Sequence, residues 1–120
     1  MTPLKVKQKL FEVRDIIHDL HLNSKSYSEH KALNQLYEGW TEEMDKFLET
    51  FYGKYGRIMG AITIDSNTEI NVSTYLINVM VFLNKDIVTI IDEQLDSDLC
   101  NIIADMKQLI NHTLYLLTLK

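Results

Sequence analysis

Proline occurs once in this 120-residue chain, at position 3, so no later residue removes a helical N–H or clashes with the preceding turn. Along the rest of the chain, apolar residues recur every three or four positions in four separate blocks. That is the spacing of one face of an α-helix. A chain patterned this way folds as packed helices, and at this length it can bury one core without disulfides or a structural metal.

The first block starts at Thr2-Pro3, a capping threonine with proline at the first helical position, and carries Leu10, Val13, Ile17 and Leu20. It stops near "LNSKS". Ser26-Tyr27-Ser28-Glu29 is a capping box, in which the two side chains satisfy each other's helix-end donors. The second block then carries Leu33, Leu36, Tyr37, Trp40, Met44, Phe47, Leu48 and Phe51, and Gly53 and Gly56 end it. A second Ser-x-x-Glu, Ser66 to Glu69, marks a third start, followed by Tyr75, Leu76, Val79, Met80, Leu83, Ile87, Ile90 and Ile91. "QLDSD" is a tight turn with Asp96 or Ser97 as cap, and the last block runs from Leu99 through Ile103, Met106 and Ile110 to Leu117. The expectation is one domain over 1–120, with helices at about residues 3–22, 27–54, 69–93 and 97–118.

Four such helices make an all-α four-helix bundle. The first and last turns are short, so those pairs are antiparallel. The roughly 12–15 residues between the second and third helices reach about 40–50 Å when extended, one bundle length. That length permits a ferritin-like bundle with a long crossover, the second and third helices running parallel. An up-down bundle with a loose loop is the alternative.

Composition narrows the function classes. A net charge of −5 argues against a surface built wholly on phosphate contacts, and Lys5, Lys7 and Lys9, alternating by two, spread around the first helix. A DNA-coating role is the third and weakest reading, since an acidic chain would need a bridging divalent ion for it. The single cysteine, Cys100, excludes an intrachain disulfide and is read as a structural thiol, with a reducing, cytoplasmic setting expected. "MTPLKVKQKL" has no apolar run to act as a signal peptide. The most apolar stretch, "INVSTYLINVMVFLNKDIVTII", is interrupted by Asn71, Asn78, Asn84, Lys85 and Asp86, which suits a core helix and not a membrane span.

Three of the four histidines, His18, His21 and His30, fall in "IIHDLHLNSKSYSEH", at the turn between the first two helices. On a wheel of about 100° per residue with His30 at zero, Asn34 falls at about 40°, Asp45 at about 60° and Glu49 at about 100°. The apolar stripe centres near 300°. Imidazoles and carboxylates on one flank are the donors a divalent transition metal takes. His30 and Asp45 are about 22 Å apart along the axis, however, so one subunit cannot bring both to one ion. A second copy, with its second helix antiparallel about a two-fold axis, can. The alternative is a metal-free flank, with Asp45 and Glu49 solvated and the histidines closing helix ends.

On these residues the chain resembles the Dps family, ferritin-like mini-bundles that oxidise and store iron. His18, His30, Asp45 and Glu49 match that family's spacing, "HLNSKSY" is similar to its His-Trp-Asn turn and would select His21, and "DSDLCNIIADMKQLINHTLYLL" resembles its last helix. The resemblance implies a homo-oligomer, from dimer up to dodecamer, with iron (or zinc) held at a two-fold interface by His18, His21, His30, Asn34, Asp45 and Glu49. It implies ferroxidase activity if that set is intact. Asn34 stands where the family carries an aspartate, and the Lys/Arg-rich DNA-binding tail of some members is absent. Small Dps-like proteins also occur in bacteriophages, whose host cytoplasm would then be the setting. The second reading is a catalytically inactive ferritin-like bundle acting as a structural or protein-interaction module.

Other chemistry has little support. The Glu-x-x-His pair of ferritin-type di-metal sites is missing, Asp15-x-x-His18 being the nearest, and "YGKYGRIMG" lacks the spacing of a phosphate loop. His112 reads as a rim histidine, and Trp40, Phe47 and Phe51 as core or subunit contacts.

Overall fold

The computed structural model describes residues 1–64 and 71–119. Among these the chain is all-helical, with no strand. Its α-helices are α1 (Pro3–Asn23), α2 (Tyr27–Tyr55), α3 (Val72–Val81) and α4 (Ser97–Leu116).

Local chemistry sets most of the boundaries. Thr2 Oγ1 accepts from Lys5 N–H and starts α1. Ser26 Oγ accepts from Glu29 N–H at 3.3 Å, but the capping box is one-sided, because Ser26 N–H donates to Ser24 Oγ. Helix α2 continues through Gly53 and stops at Gly56, whose φ of 92° only glycine adopts without strain. The Ser66-to-Glu69 start lies outside the described residues. Asn71 caps α3 instead, its side chain accepting from Thr74 N–H.

The third helix departs most from expectation. In place of one helix over 69–93, α3 gives way to a π-helical turn, Phe82–Asp86, and a 3₁₀ turn, Ile87–Ile90. The wider turn, closed by Ile87 N–H on Phe82 O, still leaves Phe82, Leu83 and Ile87 buried, so packing is kept while the regular ladder is lost. Thr89 Oγ1 then donates to Asp86 O, offering the backbone a local alternative to helix. The fourth helix ends at Leu116, two residues before the expected stop.

The core is built from all four helices: Leu10 and Ile17 of α1, Leu36, Trp40 and Phe47 of α2, Leu76 of α3, and Leu99, Met106 and Ile110 of α4, each at most 1% exposed. Trp40 Nε1 donates to Leu10 O at 3.1 Å and ties α1 to α2. At Gly39 an added Cβ would come within 3.0 Å of Leu109 Cδ2, so the missing side chain lets α2 and α4 approach closely.

Polar contacts fix the relation of the ends. The Met1 amine donates to Thr89 Oγ1, and Lys54 Nζ lies 2.7 Å from Asp98 Oδ1, 2.9 Å from Asp96 Oδ1 and 3.2 Å from Leu95 O. Tyr55 OH donates to the Asp96 carboxylate at 2.6 Å. The starts of α1 and α4, the end of α2 and the end of the 3₁₀ turn therefore share one end of the molecule, and the α1–α2 turn lies at the other. Asp96 is a cap by position only. Its carboxylate, fully buried, accepts from Asp92 N–H, Tyr55 OH and Lys54, and its pKa falls to about 2, with the Asp92 hydrogen bond the largest cause. After Gly56 the chain crosses the first turns of α1, where Lys7 Nζ donates to Ile58 O and Gln8 Nε2 to Ala61 O.

Candidate functional site at the α1–α2 elbow

The last turn of α1 and the first turn of α2 bring His21 and His30 face to face. Their ring centroids are 3.8 Å apart, with planes 23° from parallel. His21 Nδ1 lies 2.8 Å from His30 O, and His30 Nδ1 lies 2.8 Å from His21 O. A carbonyl oxygen only accepts, so each Nδ1 carries a proton, and in the neutral ring the lone pair is then on Nε2. The His21 carbonyl so used also accepts from Ser24 N–H at 3.4 Å, in the closing turn of α1. Neither Nε2 has a hydrogen-bond partner among the described residues.

His18 is exposed and stacks on Tyr37, with centroids 4.5 Å apart, and stands 6.2 Å from His21 in a second near-parallel pair. The result is a short stack of Tyr37, His18, His21 and His30 along the α1–α2 seam. Tyr37 belongs to this stack as well as to the apolar side assigned from the sequence. Its signal was its distance from His30: seven residues, two helical turns, hence one flank.

The carboxylates lie elsewhere. Asp45 and Glu49 are exposed on α2, 15 and 19 positions beyond His30, hence about 22 and 28 Å along the axis. Asn34 turns to its own helix, donating through Nδ2 to Glu38 Oε1 at 3.3 Å, and lines a groove of about 560 Å³ with Tyr27, Lys31, Glu38, Leu116 and Leu119. Glu49 lines a cleft of about 330 Å³ with Tyr52, Gly53, Gly56 and Arg57. The structure thus joins His18, His21 and His30 and sets Asp45 and Glu49 far along α2 from them, while Asn34, one turn beyond His30, turns its side chain to Glu38.

A metal ion must lie in the plane of each imidazole that binds it, about 2.0–2.1 Å from nitrogen. Rings stacked 3.8 Å apart have planes that do not meet at that distance, so His21 and His30 cannot chelate one ion as they stand. Each can supply one Nε2 donor, with Nδ1–H held by a backbone carbonyl, which is the outer-shell arrangement of metal-bound histidine. Among the described residues no group of three or more His, Cys, Asp or Glu side chains is placed to hold an ion.

Sequence reasoning missed the Asp96 cluster, where Lys54 and Tyr55 converge from 41 or more residues away. An Asp in a turn before a helix reads as a cap, and nothing local distinguishes a buried one. Hydrogen bonding to Asp98 raises the Lys54 pKa, and hydrogen bonding to Asp96 raises that of Tyr55, so the cluster is an ion-paired clamp between α2 and α4. His112 is exposed and Cys100 half-buried, whereas Trp40, Phe47 and Phe51 lie in the core. Among the described residues no helix is long and apolar enough to cross a membrane.

A family described as of unknown function (DUF5856) matches residues 21–117, and the chain belongs to it. The match begins at His21, so it spans the elbow, α2, α3 and α4. No curated protein and no solved structure matches the chain.

Proposed function

We propose that this member of the family is a ferritin-type four-helix bundle, similar to Dps proteins, that pairs about a two-fold axis on its α1–α2 face and binds iron or another divalent metal between copies. The observation that carries the reading is two half-sites on one flank: imidazoles with free Nε2 atoms at the elbow, and the exposed carboxylates of Asp45 and Glu49 further along α2. In an antiparallel pairing of two α2 helices each copy's imidazoles approach the other's carboxylates. The shared end of α1, α2 and α4 supports the crossover, because a third helix that finishes beside Met1 and Asp96 runs in the same direction as α2. Ferrous iron would be the substrate of such a site, oxidised by oxygen or peroxide.

The test is iron uptake and ferrous oxidation by purified protein, with mass from light scattering. Wild type is expected to form at least a dimer and to take up iron, with uptake lost in Glu49→Gln. Protein that takes up no iron, unchanged by His30→Ala or Glu49→Gln, would sink the metal reading. The Asn34–Glu38 hydrogen bond and the stacked rings favour a second reading, a metal-free assembly module. Oligomers stable in chelator, with no iron bound, would establish it.

A further inference from the structure

The connections between helices treat their backbone differently. In the elbow turn Ser24 Oγ accepts from Ser26 N–H, and before α4 Asp92 Oδ1 accepts from Gln94 N–H and Leu95 N–H. Residues 57–64, the strap over α1, belong to no helix or strand, and none of their N–H groups has a partner among the described residues. Two of its carbonyls, at Ile58 and Ala61, are held by α1. After Arg57 the strap, "RIMGAITI", carries no charge, and it ends in the β-branched run Ile62-Thr63-Ile64 that strands favour. Ile62 is 36% exposed and Ile64 42%. A row of unpaired N–H groups on an apolar segment is a template for another strand.

The strap also lies where the proposed axis would cross. Leu4, against which Gly60 sits, and Lys7, which holds Ile58, fall within about 60° of Phe11 and His18 on the α1 wheel, so the strap shares the histidine flank. If His30 of one copy faces the stretch from Asp45 to Glu49 of another, the axis crosses α2 near residues 38–39. Leu10 stands beside Trp40 and His21 beside His30, which puts the crossing near residue 12 of α1. From Ala61, bonded to Gln8, the chain must climb away from Met1, because the third helical stretch finishes beside Met1 at Thr89. Extended at about 3.3 Å per residue, it reaches the level of residue 12 at Thr63.

We propose that the strap pairs with the strap of a second copy of this chain as a short antiparallel ribbon, with Thr63 on the two-fold axis. The proposal rests on the two-fold reading above and specifies a contact within it. In this register the two Thr63 residues exchange N–H···O bonds, and each Ile62 stands opposite the other copy's Ile64 on the same face. Every contact is made twice, as an isologous interface requires. Each copy carries a net charge of −5, and the uncharged straps meet without adding to the repulsion.

The experiment combines sedimentation equilibrium with amide exchange of the strap at low and high protein concentration. Amides of residues 61–64 are expected to exchange freely in the monomer and to gain protection as the chain associates. Thr63 N–H has no partner in the monomer, so Thr63→Pro is expected to keep the melting temperature and weaken association at least about tenfold. In a Cys100→Ser background, Thr63→Cys is expected to form a disulfide-linked dimer, since Cα atoms of such a pair lie about 5.5 Å apart. Met59→Cys, whose two copies lie about 26 Å apart in this register, is not. Association that Thr63→Pro leaves unchanged, or strap amides as open in the dimer as in the monomer, overturns the ribbon and leaves the two-fold reading standing. A wild-type chain that stays monomeric at all concentrations overturns both.

Discussion

Removing the two elbow imidazoles, singly and together, should give a distinctive pattern of energies. Each ring donates to the other's backbone carbonyl, which remains after either side chain is cut to alanine. The two hydrogen bonds are therefore lost independently, and only the ring stacking couples the sites. One half-exposed hydrogen bond contributes about 1 kcal/mol, and a stacked pair about 0.5 kcal/mol beyond its area. Alanine's higher helix propensity returns up to about 0.5 kcal/mol at each site. His21→Ala and His30→Ala should thus each cost about 1 kcal/mol and the double variant about 1.5 kcal/mol, a coupling of about 0.5 kcal/mol. The assay is urea unfolding at pH 8, where free imidazole is neutral, followed by the emission of the chain's one tryptophan, Trp40. A coupling of about 2 kcal/mol or more would refute the reasoning, because it would mean the rings bond to each other. A single variant with no loss would refute the reciprocal bonds themselves.

Three other outcomes follow from the packing and the end clamp. Trp40→Phe removes the indole N–H bond to Leu10 O, worth about 1 kcal/mol, and leaves a void of roughly 40 Å³, worth about another, so chemical denaturation should show a loss of about 2 kcal/mol. The Asp96 pKa is lowered from 3.8 to about 2, so its contribution is present above pH 3.8 and lost as pH falls towards 2; acid titration by circular dichroism should show that limb flattened in Asp96→Asn. Gly60→Ala, at a φ of 136° and against Leu4, should lower thermal stability by more than 1 kcal/mol, while Gly53→Ala raises it.

The sequence carried the helices that announce themselves by caps and spacing. Thr2-Pro3, Ser26 and Gly56 act where their chemistry says they should, and α1, α2 and α4 lie close to their expected spans. The third helix did not yield in the same way. Its β-branched, apolar run reads as continuous, because a π turn keeps Phe82, Leu83 and Ile87 buried and leaves no gap in the apolar pattern. The histidines were visible as a group at a turn. Their geometry was not, since each bonds to a backbone carbonyl, a partner every residue possesses. Asp96 was hidden for the opposite reason, its side-chain partners Tyr55 and Lys54 lying 41 and 42 positions away in the sequence.

The end clamp also decides how the molecule opens. Met1 with Thr89, Lys54 with Leu95, Asp96 and Asp98, and Tyr55 with Asp96 are the polar side-chain and terminal contacts between the α1–α2 hairpin and the α3–α4 hairpin among the described residues, apart from the strap on α1. They all sit at one end. An excursion that parts the two hairpins while keeping those bonds must pivot there, as tongs do about their rivet, with the widest travel at the elbow. Amide exchange should then be fastest in the first half of α2 and the second half of α4 and slowest beside the rivet. The elbow, which faces the partner in the proposed dimer, would be the part of the monomer with the most play.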